Sequence, residues 1–583
     1  MQVIEGVALP PGQAGSDVSK GEKEQTATRL VSHTKPSFPA DSNDRIPWYG
    51  RLLEKLEVRQ PHSPEFSLAL TNSDLLPVHK DKRRWGKWTY ALFWFGECAS
   101  VTSWTVAATG VQGGLTWWES WICVILGHLI VSVPMVMTGR PGATYHVPFP
   151  VITRASFGVW GSYWPIFNRN AMTIIWTGVQ GVTTGNCIYV MLHAIFPTIA
   201  QVHNPFGTDV TMTGGRLIGY VIGWLICLGS AFIRPQGLSG LILVKSGIMT
   251  ICLITFFGWS LSKAHGIGPV ISQGPSIPAG SSHAWVFVSN LFVQAGNMAT
   301  FATNNADTAR YARRPNDALW TQLFGMPIAF GVVAFFGVFV TSASKTIFGS
   351  VLWDPTAILD GFLTKSYDPA TRAGVFFIAL GFSFAQCTTM VFANLIAAGN
   401  DTSAMLPRYI NYRRGVIVCL ILAFAITPWN LTKSSFAFTS YLSSYQIFLA
   451  SIIGVIIGDY FLVRKGRYDV AALYSAERGA AFHYWRGWNW RAYLAYVLGI
   501  VPCFPGFLSA VGVRGIGVGA SRVYTFALPI GIVVAAASYW GFNFISPPPG
   551  GIVSQWSEPA LDEVDIVIEG AETKGRDAEA ETV

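Results

Sequence analysis

Charge is scarce in this chain. Asp, Glu, Lys and Arg make up 12% of its 583 residues, about half the ~25% of an ordinary soluble domain. That excludes an ordinary soluble enzyme and a disordered scaffold. It also excludes a nucleic-acid reader despite the net charge of +8, because the basic residues fall between apolar runs rather than on one polar face. Paired cysteines are missing as well. Cys98, Cys123, Cys187, Cys227, Cys252, Cys387, Cys419 and Cys503 all sit in apolar stretches and none forms a CxxC pair, so neither a disulfide framework nor a metal site is expected. There is no Gly-rich phosphate loop, no HExxH and no nucleophile elbow, so no enzyme and no cofactor are expected. No apolar signal stretch follows Met1, and the first membrane helix is expected to act as its own insertion signal.

What the chain does hold is apolar length. Hydrophobic residues reach 51%, with 22 Trp, 38 Phe and 59 Gly, and the mean hydropathy is +0.39. About twelve segments are long and apolar enough to cross a bilayer, at 89–109, 117–138, 165–192, 216–234, 238–262, 284–304, 319–344, 373–399, 414–430, 437–463, 490–512 and 523–545. A spanning helix closes its own backbone hydrogen bonds, which lipid cannot do. The expected fold class is an all-α polytopic membrane protein. Residues 1–85 are polar and are expected to form an N-terminal tail, 86–545 the membrane domain, and 546–583 an acidic C-terminal tail. Lys80, Lys82, Arg83, Arg84 and Lys87 precede the first helix. With that end inside, the inner loops carry about fifteen further Lys and Arg against eight outside, so both termini are expected in the cytosol.

Polar groups inside apolar spans carry the functional signal, because each is costly in hydrocarbon. The first segment holds Glu97, Ser100, Thr102 and Ser103. The sixth holds Gln294, Asn297, Thr300, Asn304, Asn305 and Asp307. Both are poor continuous helices for lipid. If helices 1–5 and 6–10 are inverted repeats, these two interrupted segments correspond and mark a transporter binding site. In the third segment Thr173, Trp176, Gln180 and Thr184 form one helical stripe. An indole with an amide one turn away suits a planar heterocycle, stacking on its face and reading an N–H/C=O edge. The same stripe also suits helix packing. In the eighth segment Ser383, Gln386, Met390 and Asn394 share a face that could line a site or contact an ion. Lys245, about two turns from the inner end of the fifth segment, either snorkels or is a buried cation at an ion position. Glu97 is the natural acid for proton coupling. His128 reads as a hydrogen-bonded core residue, Asp459 as an inner-interface residue, and Gly139-Arg140-Pro141-Gly142 as punctuation in an inner loop.

Several blocks in order give the chain a family likeness. They are Gly139-Arg140-Pro141-Gly142-Ala143 with Tyr145-His146, Arg154-Ala155-Ser156-Phe157-Gly158, Asn168-Arg169 with Trp176 and Gly178-Val179-Gln180, Asp307 with Ala309-Arg310-Tyr311, Leu406-Pro407-Arg408-Tyr409-Ile410-Asn411, and Asp459-Tyr460-Phe461-Leu462-Val463-Arg464. On these the sequence resembles the nucleobase:cation symporter-1 family, in its fungal branch of uracil, allantoin and uridine permeases, from about Leu70 to about Gly541. The resemblance implies a LeuT-like core of two inverted five-helix repeats, about 89–262 and 284–463, plus two further helices at 490–545. It implies plasma-membrane import of a small planar nitrogen heterocycle by alternating access, driven by protons, with sodium as the alternative ion. It implies that Trp176 stacks on the ring and Gln180 bonds it, with Asn297, Met298, Met390 and Asn394 around it. Glu97, Lys245, Ser383 and Gln386 are then the candidates for cation coupling, Lys245 matching the lysine that replaces part of a sodium site. Two positions depart from the family pattern: Met390 stands where an Asn is common and Met298 where some relatives carry a second Trp. The tails resemble those that engage ubiquitin and trafficking machinery. Related branches carry vitamin-type heterocycles such as thiamine, nicotinamide riboside or pyridoxine-like compounds, and a non-transporting sensor on the same fold is a further alternative.

Overall fold

The computed structural model describes residues 56–58, 69–72, 74–206, 210–232, 239–548, 550 and 553. Most of both expected tails, with the trafficking contacts assigned to them, lies outside the described residues. The last part of the expected N-terminal tail packs as part of the bundle. Leu70 and Leu75 are buried, Arg154 Nη2 donates to the Leu70 carbonyl at 2.7 Å, and the Tyr474 hydroxyl donates to that of Leu75 at 2.8 Å.

The described residues are almost wholly helical. In chain order they form α1 (Lys87–Cys98), α2 (Val101–Gln112), α3 (Trp117–Tyr145), α4 (Phe149–Phe157), α5 (Tyr163–Ile195), α6 (Gly214–Gly229), α7 (Ser239–Lys263), α8 (His283–Asn297), α9 (Ala299–Asn304), α10 (Met326–Phe348), α11 (Pro355–Lys365), α12 (Pro369–Met390), α13 (Ile396–Met405), α14 (Tyr412–Ala425), α15 (Ser435–Ile457), α16 (Trp490–Ile500), α17 (Phe504–Ala510), α18 (Val518–Thr525) and α19 (Ala527–Ile545). Over the described residues, each of the expected segments is largely helical. Eight are long and apolar enough to cross a membrane by length and composition. Of the others, two are broken, α5 carries polar residues along its length, and α14 has only 14 residues, about 21 Å of helix.

The two breaks have local causes. Between α1 and α2, Ala99 (ψ 73°) and Ser100 (φ −145°, ψ 155°) leave the helical region. Ser100 Oγ then caps α2 by accepting from the Ser103 N–H at 3.1 Å. Between α8 and α9 the departure is Met298 (φ −96°, ψ 7°). Free backbone groups at membrane depth are tolerated only where protein or a wet cavity meets them. Here the Tyr445 hydroxyl donates to the Gly296 carbonyl at 3.0 Å.

The Gly139–Gly142 motif is not loop punctuation. Helix α3 runs through it to Tyr145, with Pro134 and Pro141 inside. Gly139 and Gly142 are three residues apart and share a face. A Cβ on Gly142 would stand 2.6 Å from Ala306 Cα and 2.7 Å from its carbonyl oxygen, so these glycines let α3 cross the end of the broken sixth segment. Asp459, expected at the inner interface, is enclosed by protein. It is fully buried, bonded by Arg464 Nε at 3.1 Å, the Tyr539 hydroxyl at 2.8 Å and the Tyr468 hydroxyl at 3.0 Å. His128 is a core residue as expected, its ring stacked on Phe330 at 3.8 Å and its Nδ1 2.8 Å from the Val124 carbonyl.

Candidate functional site

A cavity lies between the two helix breaks. Trp94, Glu97 and Ser100 reach it from the first segment, Asn297 and Met298 from the sixth, Trp176 and Gln180 from α5, and Thr389 and Asn394 from the eighth. The structure therefore brings together five of the residues singled out as substrate-binding: Trp176, Gln180, Asn297, Met298 and Asn394.

The polar edge is built by two amides. Asn394 Nδ2 donates to Gln180 Oε1 at 2.9 Å. Each amide has two donors on nitrogen and an acceptor oxygen. This bond therefore leaves the Gln180 N–H₂ as donor and the Asn394 carbonyl as acceptor. Side by side, they complement a ring edge that offers C=O next to N–H. The aromatic face is Trp176, 95% buried and fixed edge-on against Phe438 (6.4 Å, 85°) and Tyr441 (6.0 Å, 62°). Two aromatic neighbours on α15 hold the indole plane.

Met390 does not join this cavity. It is 1% exposed and packs with Cys227, Leu395, Val416, Cys419 and Leu420. The cause is a π-turn over Val391–Leu395. A four-residue spacing aligns Met390 with Asn394 in an α-helix, but a π-turn aligns residues five apart, so Asn394 stands over Thr389. The sequence missed Thr389, which no periodicity argument finds without the π-turn, and also Trp94, Phe301 and Phe330, which line the cavity as well. Ser383 does not reach the cavity either: its hydroxyl bonds back to the Ala379 carbonyl at 2.7 Å.

Gln386 has a definite task. Its Nε2 donates to Thr102 Oγ1 at 2.7 Å, and its Oε1 accepts from the Thr102 N–H at 3.3 Å. It thus ties the start of α2 to α12 across the break and satisfies one of the free N–H groups there.

Glu97 and Lys245 meet. Lys245 Nζ lies 3.9 Å from Glu97 Oε1, with the two side chains 0% and 4% exposed. Lys245 therefore does not snorkel. It is buried beside Glu97, near the C-terminal end of α1. Nearer the N-terminal end of α5, Arg169 Nη1 is paired with Asp401, both buried, and Asn170 Nδ2 donates to Thr402 Oγ1 at 3.1 Å. These contacts knit α5 to α13. Among the described residues no cluster of His, Cys, Asp and Glu is arranged to hold a metal ion.

The cavity measures about 40 Å³. A cavity of roughly 150 Å³ is known to hold a benzene ring, so a ring enters here only as the walls move apart. Met298, at the helix break, is a flexible wall residue suited to such movement.

Residues 77–531 match the protein family described as permeases for cytosine/purines, uracil, thiamine and allantoin. The chain is similar to the allantoin permease of Saccharomyces cerevisiae, with 37% identity over 493 residues covering 84% of this chain and 78% of that protein. It is similar to the uracil permease of the same yeast, with 37% identity over 485 residues covering 82% and 76%. Its fold is similar to that of Mhp1, a nucleobase-cation-symport-1 family transporter solved in a closed conformation with bromovinylhydantoin bound. There the identity is 19% and the TM-score 0.66, over 82% of this chain and 97% of that one. The shared architecture is the LeuT-like one, with the broken segments α1/α2 and α8/α9 at equivalent positions in the two repeats.

Proposed function

We propose, because this chain belongs to the nucleobase:cation symporter-1 family of permeases, that its central cavity carries a single-ring uracil- or allantoin-like solute into the cell by alternating access. The observation that carries this reading is the convergence of Trp176, Gln180 and Asn394 on one cavity between two broken helices. The indole offers a face and the two amides offer a donor and an acceptor. The ring binds when the walls open outward, the walls close on it, and the inner side then opens.

Protons are the proposed driving ion. The Lys245 ammonium, 3.9 Å from the Glu97 carboxylate, does electrostatically what a bound metal cation would do beside the break in the first segment. Protonation of Glu97 loosens that pair and links proton uptake to movement of α1 against α7. Import at the plasma membrane with both termini in the cytosol belongs to the same proposal, supported by the Lys and Arg bias of the inner loops, as do trafficking contacts of the tails.

The test is uptake of radiolabelled uracil, allantoin and hydantoin by a host lacking its own permeases, at two pH values and with and without sodium. Saturable accumulation of at least one ring, stimulated by acid and indifferent to sodium, is expected. Sodium-dependent uptake indifferent to pH overturns the coupling. Absence of accumulation for all three overturns the substrate class.

A further inference from the structure

A second cavity, of about 180 Å³, adjoins the first on the face that the Lys and Arg bias assigns to the outside, and Thr102 lines both. By the benzene benchmark of roughly 150 Å³ this space admits a single ring without rearrangement. In this conformation the central cavity does not.

Its walls carry opposed charges. Arg216, in the first turn of α6, and Asp354, the residue that caps α11, both line it. Asp354 Oδ1 is occupied, accepting from the Thr356 N–H at 2.9 Å and the Thr356 hydroxyl at 2.8 Å. The cap therefore uses one carboxylate oxygen and leaves Oδ2 for another donor. Arg216 makes one long bond, Nη1 to the Thr211 carbonyl at 3.4 Å, and lies 5.8 Å over the Tyr189 ring. Most of its five N–H donors remain for another partner. Burial raises the Asp354 carboxyl above its ordinary value, opposed by the Thr356 bonds and by the charge of Arg216. Among the described residues no direct ion pair joins Arg216 to Asp354. Trp353 also lines the cavity wall.

A guanidinium and a carboxylate that share a ring-sized space without touching form the same donor-acceptor pattern as Gln180 and Asn394, with charged groups in place of amides. Resting on the reading of the central cavity as a heterocycle site, we infer that this vestibule is a second binding site for a single-ring lactam or ureide, in which Arg216 donates to the ring carbonyl, Asp354 accepts from the neighbouring ring N–H, and Trp353 covers the face. The aromatic surface continues inward: Trp353 packs on Phe438 at 5.8 Å and 34°, and Phe438 meets Trp176 edge-on at 6.4 Å. Phe438 is the partition the ring has to displace on its way from one indole to the next. Lys433 stands exposed at the rim.

The experiment is equilibrium binding of radiolabelled uracil, allantoin and hydantoin to the purified full chain in lipid nanodiscs. Wild type is expected to bind a ring at two sites, one weaker. Asp354→Asn keeps the helix cap, since Asn also caps, but sets a donor where the ring N–H needs an acceptor. It and Arg216→Gln are each expected to weaken the weaker site about tenfold or more, the loss of a hydrogen bond to a charged group, and to spare the tighter one. Gln180→Ala is expected to do the reverse. A single site in wild type, or a weaker site unmoved by both vestibule variants, overturns the inference and leaves the central site standing. Absence of binding for all three rings in wild type overturns the heterocycle reading and the vestibule with it. If Asp354→Asn loses both sites through misfolding, Arg216→Gln and Trp353→Ala decide.

Discussion

Asn394 donates to Gln180 across 2.9 Å, from the π-turn after α12 to the middle of α5, and that bond decides which amide presents a donor to the cavity. Asn394→Asp removes the donor. Gln180 then turns its N–H₂ towards the carboxylate and presents oxygen to the ring. Uptake of rings that offer C=O at that edge is expected to fall about tenfold or more, read as a rise in KM. Gln180→Ala is expected to abolish saturable uptake while the protein still reaches the membrane.

Trp176 is held edge-on by Phe438 and Tyr441, so its face is available for stacking. Trp176→Ala is expected to weaken binding by about 1–3 kcal/mol, the range for aromatic-base stacking, and Trp176→Phe by less. Competition of unlabelled against radiolabelled ring measures both, and equal affinities for wild type and Trp176→Ala would remove the indole from the site.

Gln386 holds the start of α2 through both atoms of its amide. Gln386→Leu leaves the Thr102 N–H and hydroxyl unpaired. An unsatisfied buried group costs about 1–3 kcal/mol, so a lower thermal midpoint in detergent is expected. Gln386→Glu, which keeps the acceptor, is expected to retain more of the stability than Leu does.

Glu97 and Lys245 form a buried pair. Removing one partner of such a pair costs about 3–5 kcal/mol, whereas replacing both by apolar groups is often close to neutral. Lys245→Met is therefore expected to be less stable than the Glu97→Leu/Lys245→Met double variant, a sign reversal that a double-mutant cycle reads directly. Glu97→Gln alone is expected to flatten the pH dependence of uptake.

Gly142 crosses the end of the sixth segment where a Cβ meets Ala306 backbone at 2.6 Å. Backbone cannot step aside as a side chain can. Gly142→Val is expected to destabilise by about 1–3 kcal/mol, with reduced membrane yield, while Gly240→Ala, at a position with open space around it, is expected to behave as wild type.

Much of this was legible in the residues. Trp176 and Gln180 are four apart on an unbroken helix, so their shared face follows from periodicity alone. The two breaks were marked by hydroxyls and amides inside apolar spans. Met390 failed because one π-turn changes the local period and hands its place to Thr389. The meeting of Glu97 with Lys245 was not legible, because α1 and α7 are brought together only by tertiary packing. The vestibule was hidden for the same reason: Arg216 stands at the first position of the fourth apolar span, Trp353 and Asp354 lie outside any span, and only tertiary packing brings them to one cavity. Gly139-Arg140-Pro141-Gly142 reads as a turn by composition, yet in a crowded bundle its small residues serve a helix crossing.

The central claim is that a flat ring lies against the Trp176 indole with one edge on Gln180 and Asn394. A crystal structure with 5-bromouracil, its bromine located by anomalous scattering, tests it most directly. The account predicts one bromine peak in the cavity bounded by Trp176, Gln180, Asn394 and Met298, and loss of that peak in Gln180→Ala. Bromine found only elsewhere, with the Trp176 and Gln180 side chains in contact with protein alone, would contradict it.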